Sequence, residues 1–150
     1  MKIRGLPEPY KIKVKRKRVS PIFASKPIVV KEKEQLYGFV RDMAASDIEE
    51  RFARALDKLE KNYWFRLPVG APRGMPGYNE VDFLVASGGY YPIQIDGEYS
   101  HIGREAKDML TDAKVMVALR EYNPFPVKHI LYTSLGNQRA ADMAARELFG

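Results

Sequence analysis

The chain has 150 residues, of which 45% are hydrophobic and 29% charged, an ordinary balance for one globular domain with its own core. Cysteine is absent, which excludes disulfides and thiolate metal sites and fits a reducing compartment. No apolar run approaches the length of a membrane span, and no apolar block follows the N-terminus as in a secretory signal. We therefore expect a cytoplasmic protein, or one acting at the nucleoid or in a virus, without a membrane partner.

The positive charge is concentrated at the N-terminus. Residues 1–40 contain 11 lysines and arginines against 3 acidic residues, a net charge of +8, whereas residues 41–150 have a net charge of −2. This contrast divides the chain into a basic arm, residues 1–40, and a domain, residues 41–150. Cationic side chains neutralise phosphates and release counterions, so the arm predicts DNA binding. The cations of the arm lie closest together in residues 11–18, which contain Lys11, Lys13, Lys15, Arg16, Lys17 and Arg18. A solubilising role, or a role in binding an acidic protein partner, remains open.

Before the domain, residues 26–36 are long enough and apolar enough for a short strand. The first helix is predicted over residues 46–62. Ser46 followed by Glu49 matches a capping box, and apolar residues such as Phe52 and Leu56 recur at helical spacing behind it. The charged residues between them, Glu50 included, are expected to face solvent. Glu49 is explained by the cap alone at this point.

Three strands are predicted next, over residues 63–69, 80–86 and 90–96, with a Gly- and Pro-rich loop between the first two and a tight turn at Gly88–Gly89. A helix over residues 103–122 follows, and its apolar face is expected to contain Met109, Ala113, Met116, Val117 and Leu119. A strand over 127–134 and a helix over 137–149 end the chain. Helices placed before and after a meander predict an α/β layered sheet.

Polar side chains interrupt two of the strands. Asp82 lies between Val81 and Phe83, where an acid is costly to bury unless it is paired or binds a metal; simple alternation with solvent is the other explanation. Gln94 and Asp96 share one face of the next strand because side chains alternate along it. If the hairpin closes as predicted, all three oxygen-bearing side chains meet at one edge, where Mg²⁺, with Mn²⁺ as a substitute, finds suitable ligands.

Each of the two histidines has a predicted role. His101 follows Gly97 and Glu98, and its position near Asp96 predicts water activation, leaving-group protonation or contact with a phosphate. His129 lies in the predicted strand over 127–134 without an acidic residue next to it in sequence, so we expect it to be structural.

The order of these motifs resembles that of the PD-(D/E)XK (restriction-endonuclease-like) nucleases, and within them the small very-short-patch-repair-like endonuclease domains. The matching segments, over roughly residues 46–134, are "SDIEERFARAL", "VDFLV", "IQIDGEYSH" and "KDMLTDAKVMVAL". The resemblance implies a restriction-endonuclease-like core: a helix, a three-stranded meander, then helix, strand and helix. It does not extend to the arm.

The resemblance also implies site residues. The helix acid of the family falls on Glu49, the strand aspartate on Asp82, the motif's lysine position on Asp96 and the downstream histidine on His101. Gln94 stands where the family has an acid, so one metal ligand would be a neutral amide. Lys107, Asp108 and Asp112 match polar positions of the following helix.

Together these features predict a Mg²⁺-dependent DNA endonuclease of repair, recombination or phage DNA processing. Asp82, Gln94 and Asp96 would hold the metal, Glu49 would orient the attacking water, and His101 would act as acid or base. Arg66, Arg73 and Lys107 would add contacts to the DNA backbone. The alternative is a nuclease-fold module that cuts weakly or not at all, and that binds nucleic acid or serves as a structural part of a larger assembly, for example a viral one.

Overall fold

The computed structural model describes residues 34–97 and 105–150. The predicted cations Lys11, Lys13, Lys15, Arg16, Lys17 and Arg18, together with Glu98 and His101, lie outside these ranges. So does most of the strand predicted over residues 26–36, and its described part, residues 34–36, is not a strand.

Within the described ranges, a two-stranded hairpin precedes the predicted elements. The strands are β1 (Phe39–Val40), β2 (Met43–Ala44), β3 (Asn62–Val69), β4 (Asn79–Ala86), β5 (Tyr90–Asp96) and β6 (Lys128–Leu131), and the helices are α1 (Asp47–Lys58), α2 (Glu105–Ala118) and α3 (Gln138–Phe149). Short 3₁₀ turns follow α2 and β6. From α1 onward the predicted order and type of the helices and strands are confirmed, whereas the hairpin was not foreseen.

The main sheet has four strands in the order β3-β4-β5-β6. The first three pair antiparallel as a meander, and β6 pairs parallel to β5. The turn between β4 and β5 falls where it was predicted, with Gly88 at φ +69°, a conformation that glycine adopts without steric cost. The protein is therefore a mixed α/β fold, which confirms the α/β class.

Helices cover both faces of this sheet. One core joins α1 and α3 to Phe65, Phe83, Ile93 and Ile130; Phe83 is fully buried there, and its ring meets that of Phe52 edge to face at 5.0 Å. The other core joins α2 to Trp64, Leu84 and neighbouring residues. Apolar burial on both faces stabilises a three-layer arrangement.

The N-terminus of α1 has the predicted capping box. The backbone N–H of Glu49 donates to Ser46 Oγ at 3.4 Å, and Glu49 Oε1 accepts from the backbone N–H of Ser46 at 2.9 Å. The expectation that Glu50 faces solvent is wrong, because this residue is only 3% exposed. Its carboxylate accepts hydrogen bonds from the backbone N–H groups of Tyr37 and Gly38 at 2.8 and 2.6 Å and pairs with Arg54 at 2.9 Å. Residues that were assigned to the arm are thereby held against α1.

The apolar face expected for α2 is wrong for Met109, Ala113 and Val117, which are exposed, and right for Leu119 at its end, which is buried. Met109 is 74% exposed and Val117 is 61% exposed, whereas Val115 and Leu119 are buried. The physical reason is that Val115 and Leu119 fill the space beside Trp64 and Leu84, and a helix with apolar residues on two sides can bury only one of them.

No helix in residues 34–97 and 105–150 combines the length and the apolar character needed to cross a membrane.

Candidate functional site

The strands β4 and β5 separate at one end of the sheet. Their backbone pairing runs from Ala86–Tyr90 to Phe83–Ile93, but both strands continue beyond it, to Asn79 and Asp96. We call the region between the separated ends, residues 79–82 and 94–96, the fork. Backbone groups that lose their ladder partners at such a place must find other partners when they are buried.

Side chains replace the missing backbone pairs in the fork. Gln94 Oε1 accepts from the backbone N–H of Asp82 at 3.1 Å, and Gln94 Nε2 donates to the carbonyl of Glu80 at 2.9 Å. In the opposite direction, the backbone N–H of Ile95 donates to Asp82 Oδ2 at 2.8 Å. Asp82 and Gln94 therefore hold the two strands apart at a defined spacing, and the sequence correctly placed them next to each other.

The carboxylate of Asp82 is electrostatically unfavourable in its charged form. Burial raises its pKa; the hydrogen bond from Ile95 opposes this rise, the nearby charges of Glu49 and Glu80 add to it, and Arg66 opposes it, so that the pKa stands at about 6. The acid of α1, predicted to belong to the site, thus acts electrostatically on the strand aspartate. An acid whose pKa is raised by burial and by neighbouring acids is typical of functional sites.

The backbone next to Asp82 is strained. Arg66 has φ +48°, an uncommon conformation for a residue other than glycine. It lies between the pairs Phe65–Phe83 and Leu67–Val81 but forms no regular pair with Asp82. Phe65 packs in the core of α1 and α3, whereas Leu67 packs in the core of α2. Residues two apart normally share a face of the sheet, so the alternation of side chains along β3 is interrupted at Arg66. Such strain concentrates at functional sites.

Glu80 gathers the cations near the fork. Its carboxylate pairs with Arg66 at 2.9 Å and with Arg73 at 3.4 Å, and it accepts a short hydrogen bond from the hydroxyl of Tyr78. Burial raises the pKa of Glu80, but the hydrogen bonds and the two arginines reverse this effect, and the net pKa is lowered. Arg66 and Arg73, predicted to contact DNA, are thus partly neutralised, whereas Lys107 is exposed near the start of α2.

Asp96 points to a partner that the sequence analysis missed. Its Oδ1 lies 2.9 Å from His129 Nδ1, and His129 Nε2 lies 2.5 Å from Asp112 Oδ2. His129, which has no acid next to it in sequence, therefore has two acidic neighbours in the fold. Its partners come from β5 and α2, which approach it only in the folded sheet. The available signal was the resemblance, which had already matched Asp112 to a polar position of this helix.

The two carboxylates also act on the protonation of His129. Burial lowers the pKa of this imidazole, but the hydrogen bonds that its ring donates to Asp112 and Asp96 and the charges of both acids more than offset that effect, so the pKa lies above its ordinary value of 6.5. When the ring carries a proton on each nitrogen, both nitrogens donate, which matches two carboxylate partners.

The oxygen ligands at the fork are chemically suited to a hard cation. Asp82 experiences repulsion from Glu49 and Glu80, which a bound cation would relieve, and Asp96 follows directly after the residue whose N–H binds Asp82. Gln94 Oε1 already accepts one hydrogen bond, which leaves a second lone pair for a ligand. No three acidic or histidine side chains of the described ranges are arranged to hold a metal by themselves, so an ion here would retain waters, as Mg²⁺ usually does.

Comparisons of the chain with models of known protein families, with curated proteins and with solved structures gave no match. The resemblance to PD-(D/E)XK nucleases therefore stays a prediction that rests on the motifs themselves.

Proposed function

We propose that this protein is a metal-dependent DNA endonuclease that hydrolyses phosphodiester bonds and has its active site at the fork. The observation that carries the proposal is Asp82: a half-buried carboxylate between separated strands, with its pKa raised to about 6 by burial and by the acids Glu49 and Glu80. Charged groups are kept in such a position, at a cost to the fold, where a ligand or a reaction requires them.

Asp82, Gln94 and Asp96 of the fork, and several residues outside it, have roles in this proposal. Asp82 and Asp96 would hold Mg²⁺ or Mn²⁺, with Gln94 as a neutral ligand; the ion, when bound, supplies a Lewis acid and lowers the pKa of a water. Glu49 is fixed in direction by its bond to the backbone of Ser46, so it can orient a water for attack. His101 would give a proton to the leaving oxygen. Cations of the arm, with Arg73 and Lys107, would bind the DNA backbone, which positions the substrate without reading its sequence.

A cleavage assay tests the proposal. Duplex, nicked and branched DNA would be incubated with Mg²⁺ or Mn²⁺ and with either the wild-type chain or Asp82→Ala. We expect cleavage by the wild type that disappears on addition of a chelator and in Asp82→Ala. Asp142→Asn is a suitable control. This acid of α3 pairs with Lys58 of α1 and has no part in the fork. Equal cleavage by the wild type and Asp82→Ala would sink the proposal.

One observation favours a second candidate, a nuclease-fold module that binds nucleic acid, or assembles with other proteins, without cutting. Both polar atoms of the Gln94 amide are bonded to the backbone of β4, which is sufficient to explain this residue without a metal. This candidate predicts DNA binding that weakens steeply with salt and is the same with and without divalent ions. Tight Mn²⁺ binding that is lost in Asp96→Ala would count against it.

A further inference from the structure

We propose that His129 is a positioning residue of the fork, which holds the carboxylate of Asp96 in the orientation needed for the metal while Asp112 holds His129 in turn. The inference rests on the proposed function, because the orientation of Asp96 matters for chemistry only if the fork binds a metal. His129, which was expected from the sequence to be structural, thereby has a role in the site.

The end of β5 is supported from one side only by backbone pairing. Beyond the pair Phe83–Ile93, no backbone pairing joins β5 to β4, so Asp96 stands on a strand end with only one paired neighbour. That neighbour is β6, with the registers Gln94–His129 and Asp96–Leu131. Asp82 and Gln94 fix the side of the strand end that faces β4. His129 supplies the corresponding side-chain contact from β6.

The imidazole of His129 is held in one orientation. Its two nitrogens are bonded to carboxylates from two different elements, Asp96 of β5 at 2.9 Å and Asp112 of α2 at 2.5 Å. Rotation of the ring would break both bonds, so the ring is fixed. A side chain whose own orientation is fixed by a further hydrogen bond is the usual support for a metal-binding carboxylate or imidazole.

The helix α2 packs against the sheet with the side that contains Asp112. This helix leaves the apolar side chains of Met109, Leu110 and Val117 exposed, while Asp112 is turned toward the sheet and bonds His129. Val115 and Leu119 bury the same side of the helix in the second core. The packing of α2 and the position of Asp96 are therefore linked through one imidazole.

Two amide substitutions separate the two hydrogen bonds. The Asn amide nitrogen lies close to the position of Nδ1 in histidine, so His129→Asn keeps a donor for Asp96 and loses Asp112. The longer side chain of Gln places its amide near Nε2, so His129→Gln keeps Asp112 and loses Asp96. Each variant loses one hydrogen bond to a carboxylate, and the two are matched in the stability that they are expected to lose.

The experiment measures Mn²⁺ affinity by calorimetry on the full chain, with the melting temperature recorded for each variant. We expect Mn²⁺ affinity about 10-fold weaker in His129→Gln, the size typical of such supporting contacts, and a smaller loss in His129→Asn, which keeps the bond to Asp96 but loses the support of Asp112. Asp112→Asn, which leaves the bond between His129 and Asp96 in place, should follow His129→Asn and replaces it if that variant does not fold.

The outcomes are distinct. If the wild type binds Mn²⁺ and His129→Gln binds it equally well, His129 has no positioning role, while the proposed function stands. If Mn²⁺ affinity falls equally in both variants, in step with their melting temperatures, the histidine acts only on stability and the inference is likewise overturned. If the wild type neither binds Mn²⁺ nor cleaves DNA, the proposed function fails and this inference fails with it.

Discussion

At the scale of single residues, the Asp82 carboxylate shows how a functional position lowers stability. Its pKa is raised from 3.8 to about 6, so the folded protein binds a proton that the unfolded chain has already released between these values. Stability then falls as pH rises through this window, and the charged group destabilises the fold at neutral pH. With allowance for solvent screening, the cost is about 1–2 kcal/mol.

Replacing Asp82 with asparagine should therefore stabilise the protein while abolishing cleavage. The amide oxygen can still accept from Ile95, but the repulsion from Glu49 and Glu80 is removed. We expect a higher melting temperature for Asp82→Asn at pH 7 to 8, with the gain disappearing below about pH 4, where Asp82 is neutral in both states.

Glu80→Gln is the matched control for Asp82→Asn. The pKa of Glu80 is lowered in the fold, so its charge contributes stability above its unfolded pKa, and this stability is lost as pH falls. Glu80→Gln should accordingly lower the melting temperature at neutral pH. A lower melting temperature for Asp82→Asn as well would contradict the electrostatic description of the fork.

Glu50 should contribute far more to stability than its neighbour Glu49. Removing the buried carboxylate in Glu50→Ala leaves the backbone N–H groups of Tyr37 and Gly38 without their acceptor and Arg54 without its counterion, at an expected cost of about 3–5 kcal/mol. Glu49→Ala loses only its part of the capping box, about 1 kcal/mol. Denaturant titration of both variants measures the difference, and a smaller loss in Glu50→Ala than in Glu49→Ala would show that the assignment is wrong.

Contacts between the adjacent strands β4 and β5 could be predicted from the sequence. Contacts made by β6, which the chain reaches only after passing through α2, could not. The adjacency of Asp82 and Gln94 follows from alternation along two strands and a tight turn at Gly88. The contacts of His129 depend on β6 lying parallel beside β5, with α2 above, and no local pattern specifies that register. Glu50 was misassigned because its backbone partners Tyr37 and Gly38 lie just before the β1–β2 hairpin, a segment that carries little sequence signal.

At the scale of elements, α2 tests how the layers are arranged. Val115 and Leu119 are buried, so replacing either with alanine should lower the free energy of unfolding. We expect a loss of about 2–4 kcal/mol for Leu119→Ala and somewhat less for Val115→Ala. Met109→Ala, on the exposed side, should change the unfolding free energy by less than about 0.5 kcal/mol. A large loss in Met109→Ala, with little in Leu119→Ala, would mean that the helix packs with its other side against the sheet.

Element types and order were predictable because each segment has a strong local signal: the capping box of α1, the alternation of β3 to β5, and the glycine turn between β4 and β5. The side of α2 that packs inward was not predictable, because this helix has apolar residues on both sides. Only the sheet, with Trp64 and Leu84 on one face, decides which of them are buried.

At the scale of the whole molecule, the uneven charge predicts how DNA binding responds to salt. Each phosphate contact that is lost should reduce the slope of log affinity against log salt by about 0.9. Replacing the six cations Lys11, Lys13, Lys15, Arg16, Lys17 and Arg18 with alanine should therefore flatten the slope by up to about 5. Binding to one duplex at several salt concentrations measures this slope, and an unchanged slope would show that the arm does not contact DNA.

The central claim is that the fork holds a divalent ion through Asp82. Crystals of the wild-type chain soaked in Mn²⁺ and measured at a wavelength where manganese scatters anomalously test it directly. We predict an anomalous peak within bonding distance of an Asp82 oxygen, with Asp96 in the same ligand shell, and no such peak in crystals of Asp82→Ala. A well-ordered fork without manganese at Asp82 would contradict the claim.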